Sequence, residues 1–313
     1  MLGGKPTKKR TTWIAVSVLV AVVAVAYAGL FAGQANDEER HRDQIETWFK
    51  NRVAKLTRPE GYLSIVGLYW LTQGRNTFGS DPSNDIVFPE KAPRFAGSFN
   101  VAHRTVTVQI NPAIEITQND RRVTLMELRP DTETERTVLE YGTMSWYVII
   151  RGDKIGIRLR DRESHIRRGF EHIDRYPVDA HWRFEALLDK YEPMKFIPID
   201  SVIDVVSNEP CIGAVVFEVG GETYRLDAII EAHSPKLWVI FADETSGDET
   251  YGGGRYLYLD PPDDDGKLVI DFNVAENPPC AFSDYTTCPL PPPQNRLPIA
   301  VTAGEKTYRK HAE

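Results

Sequence analysis

The chain has 313 residues, 42% of them apolar and 26% charged, with a formal net charge of -8. That acidic balance excludes a nucleic-acid binder of the usual kind, which displays an excess of Lys and Arg. Three cysteines exclude a disulfide scaffold, while the length allows two domains.

The first element follows the basic stretch "KPTKKR". Residues 11–33, "TTWIAVSVLVAVVAVAYAGLFAG", carry no charge. About twenty apolar residues at ~1.5 Å each span a ~30 Å hydrocarbon core. Lys5, Lys8, Lys9 and Arg10 should hold the start in the cytoplasm, giving a single-pass anchor in the cell membrane with the bulk of the chain outside. A signal peptide cleaved near Ala35, leaving a secreted protein, is the alternative, because Gly33 and Ala35 have small-x-small spacing. Residues 1–36 therefore form a basic tip and anchor.

Residues 37–60 read as an amphipathic helix. Ile45, Trp48, Phe49, Val53 and Leu56 share one face, Asp37 is placed to cap the start, and Pro59 and Gly61 stop it. From 61 to 162 the chain turns to short strands. "HRTVTVQI" alternates in period two before the Asn119-Asp120 turn, and "SWYVIIRGDKIGIRLRD" is two strands around Gly152-Asp153. Such repeated strands and turns predict a β-sandwich. The order of "NTFGSDPSNDIVFP" (76–89) and the later "VIIRGDKIGIRL" resembles the frame of a forkhead-associated domain, a recognition module. Ser80 stands where that family's phosphate-reading Arg should follow Gly79, and "EKAPRFAGSF" (90–99) has no counterpart of its Ser-x-x-His loop. The resemblance thus implies the sandwich and not phosphothreonine binding, which needs those charge-assisted contacts.

Residues 163–181 read as a charged linker. Beyond it, "WRFEALL" (182–188), "IGAVVFEVGGETYRLDAIIE" (212–231), "KLWVIFAD" (236–243) and "GKLVIDF" (266–272) predict a second antiparallel sheet or barrel over 182–313. The expected fold is mainly β: a membrane helix and a short amphipathic helix, a forkhead-associated-like sandwich, then the second β domain with a Pro- and Cys-rich tail.

The final hundred residues hold "FADETSGDETYGGGRYLYL" (241–259) and "DFNVAENPPCAFSDYTTCPLPPPQNRLPIAVTAGEK" (271–306). Together with "WLTQGRNTFGSDPSNDIVFP" (70–89), these runs resemble the bacterial and archaeal family named domain of unknown function 1684. That resemblance implies no catalytic residue. Read as chemistry, Gly252, Gly253 and Gly254 permit close approach of a backbone or ligand. Arg255 and Arg296 could clamp a carboxylate or phosphate. Asp271 and Asn273, two apart on a strand, share a face, with Asn277, Glu305 and Lys306 as further polar groups. Each also has a structural reading: the arginine tying down a loop, the amides bonding a proline-rich segment whose prolines donate nothing. Cys280 and Cys288 enclose a short loop and are expected to form a disulfide outside the membrane; Cys211 reads as a buried free thiol.

No metal site is expected. His165, His172 and His181 lack ligand spacing, and "DPPDDDGKLVID" has Pro261 and Phe272 where a calcium loop needs its first and last ligands. No cofactor signature is present, and none is expected. Two functions fit: binding of a small polar or anionic ligand or an envelope partner, or a cofactor-free hydrolase with Asp271 or Glu305 as base and Arg255 as clamp.

Overall fold

The computed structural model describes residues 36–231 and 234–308. The apolar run 11–33 and the small residues ending at Ala35 lie outside them. Among the described residues no helix is long and apolar enough to cross a membrane. The described residues divide into two units, one ending at Phe49 and the other starting at Lys50. The amphipathic pattern does yield a helix, over 36–57. Asp37 lies inside it and pairs with Arg40 at 2.6 Å instead of capping its start.

Residues 50–313 are mainly β and carry three sheets. The first runs, in spatial order, Ile65–Trp70, Lys154–Asp161, Met144–Arg151, Leu139–Tyr141, Thr117–Gln118 and Arg121–Arg122, and every pairing is antiparallel. The second runs Ile86–Val87, Gly74–Gly79, Gly97–Ala102, Thr105–Ile110 and Leu125–Leu128. One apolar cluster joins the two, with Phe78, Phe99 and Val108 from the second sheet meeting Trp146, Val148 and Ile157 from the first. Alternation then decides the other face. Because Trp146, Val148, Ile155, Ile157 and Leu159 point into this core, Tyr147, Arg151, Arg158 and Arg160 must project from the opposite side of the first sheet. The predicted Asn119-Asp120 turn is present with both residues at positive φ.

The third sheet orders Arg255–Leu259, Leu237–Phe241, Glu222–Ile230, Ser207–Val219, Arg183–Ile199 and Lys267–Asp271. The strand expected at 182–188 continues to Ile199. Pro193, which cannot donate to a ladder, falls in the register shift between Lys190 and Lys195, where regular pairing is interrupted. The predicted Gly220-Gly221 hairpin joins the two strands on either side of it.

The tail is packed on this sheet. Leu297, Val301 and Ala303 complete a core with Val215, Leu226, Val239, Leu257 and Ile270. Ala242 pairs with Arg296 through a parallel bridge, and Tyr256 with Glu276 through an antiparallel one. The triple-glycine turn meets the proline segment at Gly254, whose φ is +80°. A Cβ there would stand 2.5 Å from the Phe241 carbonyl oxygen and closer still to Pro291 Cγ. Glycine is thus required both by conformation and by space. Gly254→Ala is expected to destabilise the protein by about 2–4 kcal/mol in denaturant unfolding, since strained φ and overpacking act together.

Candidate functional site

Four of the residues singled out in the sequence, Arg255, Asn277, Glu305 and Lys306, are brought into one polar network. Arg255 is fully buried. Its Nη2 donates to Asp243 Oδ2 at 2.7 Å and to the Val301 carbonyl at 3.0 Å, and its Nη1 donates to the Ala303 carbonyl. Burial pulls this guanidinium below its ordinary value, and Asp243 opposes the fall. Glu305, also buried, accepts Arg52 Nε at 3.0 Å on one oxygen and the Asn277 backbone N–H at 2.6 Å on the other. Asn277 Nδ2 donates to the Lys306 carbonyl, and Lys306 Nζ pairs with Glu249 at 3.0 Å.

Asp271 belongs to a different set. It accepts from the backbone and side chain of Asn273, whose amide exchanges two hydrogen bonds with the Asp179 backbone. Arg296 is exposed.

Arg52 went unnoticed in the sequence because it sits among charges on a surface-looking helix. It is 5% exposed. Its three nitrogens reach Glu305, the Asn277 carbonyl and, at 3.2 Å, Glu276. Burial works against its charge, but Glu305 and Glu276 outweigh it and hold the guanidinium above its ordinary value. Its spacing from the helix stripe, one residue before Val53 and four before Leu56, was the available signal.

The expected disulfide is corrected. Cys211, Cys280 and Cys288 are all free. The loop is closed instead by a hydrogen bond from the Cys280 backbone N–H to Cys288 Sγ at 3.0 Å, with Thr286 Oγ1 3.6 Å from the same sulfur. Cys211 is the buried thiol expected, pushed up to about 11 chiefly by burial.

A cavity of about 270 Å³ opens where the outer face of the first sheet, the third sheet and the tail meet. Arg151 and Arg158 line it from the first sheet, Trp238, Tyr256 and Tyr258 from the third, and Thr286 to Pro289 from the tail. Lys55, Glu231 and Glu276 add charge to its wall. Burial raises both glutamates; Arg52 opposes this at Glu276, and Lys55 at Glu231.

The two arginines differ. Arg151 has a full partner, because Nη1 and Nη2 reach the Asp131 carboxylate at 3.1 and 2.8 Å. Arg158, 8% exposed, donates from Nη2 to Thr287 Oγ1 at 3.2 Å, while its Nε is buried without a partner. Among the described residues it meets no carboxylate. Thr287 Oγ1 also accepts Arg151 Nε at 3.0 Å, so both bonds use the oxygen and leave its hydroxyl hydrogen over. Trp238 Nε1 is a third donor without an acceptor. Its ring lies parallel to that of Tyr258 within 2° at 6.2 Å.

Among the described residues no group of three or more His, Cys, Asp or Glu side chains could hold a metal ion. The cavity offers a cation, a hydroxyl donor and an aromatic wall, which suits recognition of an acceptor-rich anion.

Arg52→Met should cost about 3–5 kcal/mol of stability, because it strands the buried Glu305 carboxylate. Urea unfolding followed by tryptophan fluorescence measures this.

Residues 168–306 match the family described as Protein of unknown function (DUF1684). Among solved structures, the chain is similar to an uncharacterized protein of Haloarcula marismortui determined by NMR. The two are 35% identical over 45% of this chain and 79% of that one, with a TM-score of 0.38. It is also weakly similar to the FHA domain of FhaA, crystallised with the intracellular domain of Rv3910. That likeness has 15% identity, covers 30% of this chain and 97% of that one, and has a TM-score of 0.22, too low to carry an argument. No curated protein matches the chain. Through its C-terminal half, the chain belongs to the DUF1684 family of proteins of unknown function.

Proposed function

We propose that this protein binds a small anionic ligand in the cavity lined by Arg158, Thr287 and Trp238, and that it does so outside the membrane. The extracytoplasmic placement rests on the uncharged run 11–33 behind its four basic residues, with secretion after cleavage near Ala35 as the alternative. A forkhead-associated-like sandwich carrying one wall of the cavity is the finer fold reading that goes with it.

One observation carries the binding reading. Arg158 is a buried cation with no acid beside it, in a molecule that supplies acids to its other buried arginines, Arg52 and Arg255. An uncompensated buried charge costs several kcal/mol, so it persists where an external partner supplies the balance. A carboxylate or phosphate in the cavity would meet the Arg158 guanidinium and the Thr287 hydroxyl, with Trp238 and Tyr258 in the wall. The hydrolase alternative is less supported. Both Glu305 oxygens already accept hydrogen bonds, and Asp271 accepts two from Asn273.

The sign of a stability change tests this. Without ligand, Arg158→Met should leave the melting temperature unchanged or raise it, the reverse of Arg52→Met. Phosphate or carboxylate at about a hundred times its Kd should raise the melting temperature of the unaltered protein by about 5–10 °C. The exposed-site variant Arg296→Met should respond equally and Arg158→Met should not. A response that survives Arg158→Met would place the site elsewhere.

A further inference from the structure

The cavity beside Arg158 has a second side, built by the third sheet. Along Leu237–Phe241 and Arg255–Leu259, the side chains of Leu237, Val239, Phe241, Leu257 and Leu259 point into the core. Alternation therefore puts Trp238, Tyr256 and Tyr258 on the opposite face, where all three line the cavity. Trp238 and Tyr258 pair directly across the strands with parallel rings, and Tyr256 meets Trp238 edge-on at 5.1 Å and 87°. These rings make a fixed aromatic floor. Polar groups border it. Glu276 is held alongside because its backbone exchanges two hydrogen bonds with that of Tyr256, at 2.9 and 3.0 Å. One Glu276 oxygen faces Arg52 at 3.2 Å; among the described residues the other accepts no hydrogen bond. The Tyr62 and Tyr258 hydroxyls, from residues lining the same cavity, likewise have no hydrogen-bond partner among the described residues, and neither oxygen is sealed from solvent. Burial, reinforced by Glu276 and Glu231, holds the Tyr258 hydroxyl above its ordinary value, and burial raises Tyr62 too. Both stay protonated and able to donate.

One cavity thus joins the Arg158 guanidinium and the Thr287 hydroxyl to a flat apolar floor and to unbonded hydroxyl and carboxylate groups. We propose that its ligand is an anionic monosaccharide, a sugar ring bearing one phosphate or carboxylate. The anionic group meets Arg158 and Thr287, the C–H face of the ring lies on Trp238 and Tyr258, and the ring hydroxyls bond Glu276, Tyr62 and Tyr258. The inference rests on the reading of the Arg158 cavity as an anion site and adds the body of the ligand. A volume of about 270 Å³ stands just under the ~300–1,000 Å³ usual for small-molecule sites, which is room for one ring and not for a peptide chain. An aryl anion would cover the same floor, but it would set the Glu276 carboxylate against an apolar edge with no hydrogen bond in return. A zwitterion would find no acid in need of a cation, because Arg52 already faces Glu276 and Lys55 opposes the effect of burial at Glu231. Neutral hydroxyls suit both kinds of group, since they donate to a carboxylate and accept from a tyrosine.

Calorimetric titration of the full chain tests this with inorganic phosphate, phenyl phosphate, phosphoethanolamine, glucose-6-phosphate and ribose-5-phosphate, and with acetate and glucuronate as a carboxylate pair. At least one sugar anion is expected to bind about tenfold more tightly than its parent ion, the factor that two or three added hydrogen bonds supply. It should also bind more tightly than phenyl phosphate and phosphoethanolamine. Tyr258→Phe, which keeps the ring and removes the hydroxyl, should cut that advantage severalfold and leave inorganic phosphate unchanged. Suppose phosphate binds and Arg158→Met abolishes that binding. Sugar anions no tighter than phosphate, or phenyl phosphate or phosphoethanolamine at least as tight as the sugars, would then overturn the sugar and leave the anion site standing. A sugar advantage untouched by both Tyr258→Phe and Tyr62→Phe would do the same. Failure of every ion to bind, or binding that Arg158→Met does not weaken, would overturn both readings.

Discussion

A guanidinium taken out of water must find a negative partner, and this requirement organises the molecule. Arg255 meets Asp243 and tail carbonyls; Arg52 meets Glu305, Glu276 and the Asn277 carbonyl. In each case a residue far away in sequence is pulled onto the tail, so charge compensation and chain closure are one event. Truncating either member of such a pair leaves the other buried alone, which is far costlier than losing a surface bridge. The last forty residues are held by the Arg52–Glu305 pair, by the carbonyls bonded to Arg255 and by Leu297, Val301 and Ala303 in the core, without a covalent link. Arg158 departs from the rule, and the functional reading grows from that departure.

The tail therefore has two jobs. Its buried side supplies carbonyls and a carboxylate to the arginines. Its other side supplies Thr286, Thr287 and Cys288 to a cavity wall. Prolines suit both, since they fix φ and need no donor partner. Rigid placement lowers the ordering cost of binding, so a small ligand can be held by few contacts.

Much of the architecture was legible in the sequence because it is written locally. Period-two alternation and glycine turns located the strands of both regions, and the apolar stripe located the helix at 36–57. The roles of the tail's residues were not legible. Arg255 beside three glycines looked like a ligand clamp, yet Asp243, on the neighbouring strand's continuation, and carbonyls some fifty residues on occupy it. Arg158 sat in a plain alternating strand, on a face that reads as solvated until a segment more than a hundred residues later covers it. Which arginine is compensated depends on pairings of long sequence separation, and these leave no local pattern. The cysteines misled for a related reason: short spacing permits a cross-link, whereas the settled loop uses an N–H to sulfur bond.

The central claim is that Arg158 awaits an external anion. Anomalous diffraction from crystals grown with selenate locates such an ion directly. A peak within hydrogen-bonding distance of the Arg158 guanidinium and Thr287 Oγ1 is the predicted result. Peaks confined to exposed lysines and arginines, with a carboxylate or ordered solvent of the protein's own filling the space beside Arg158, would contradict it.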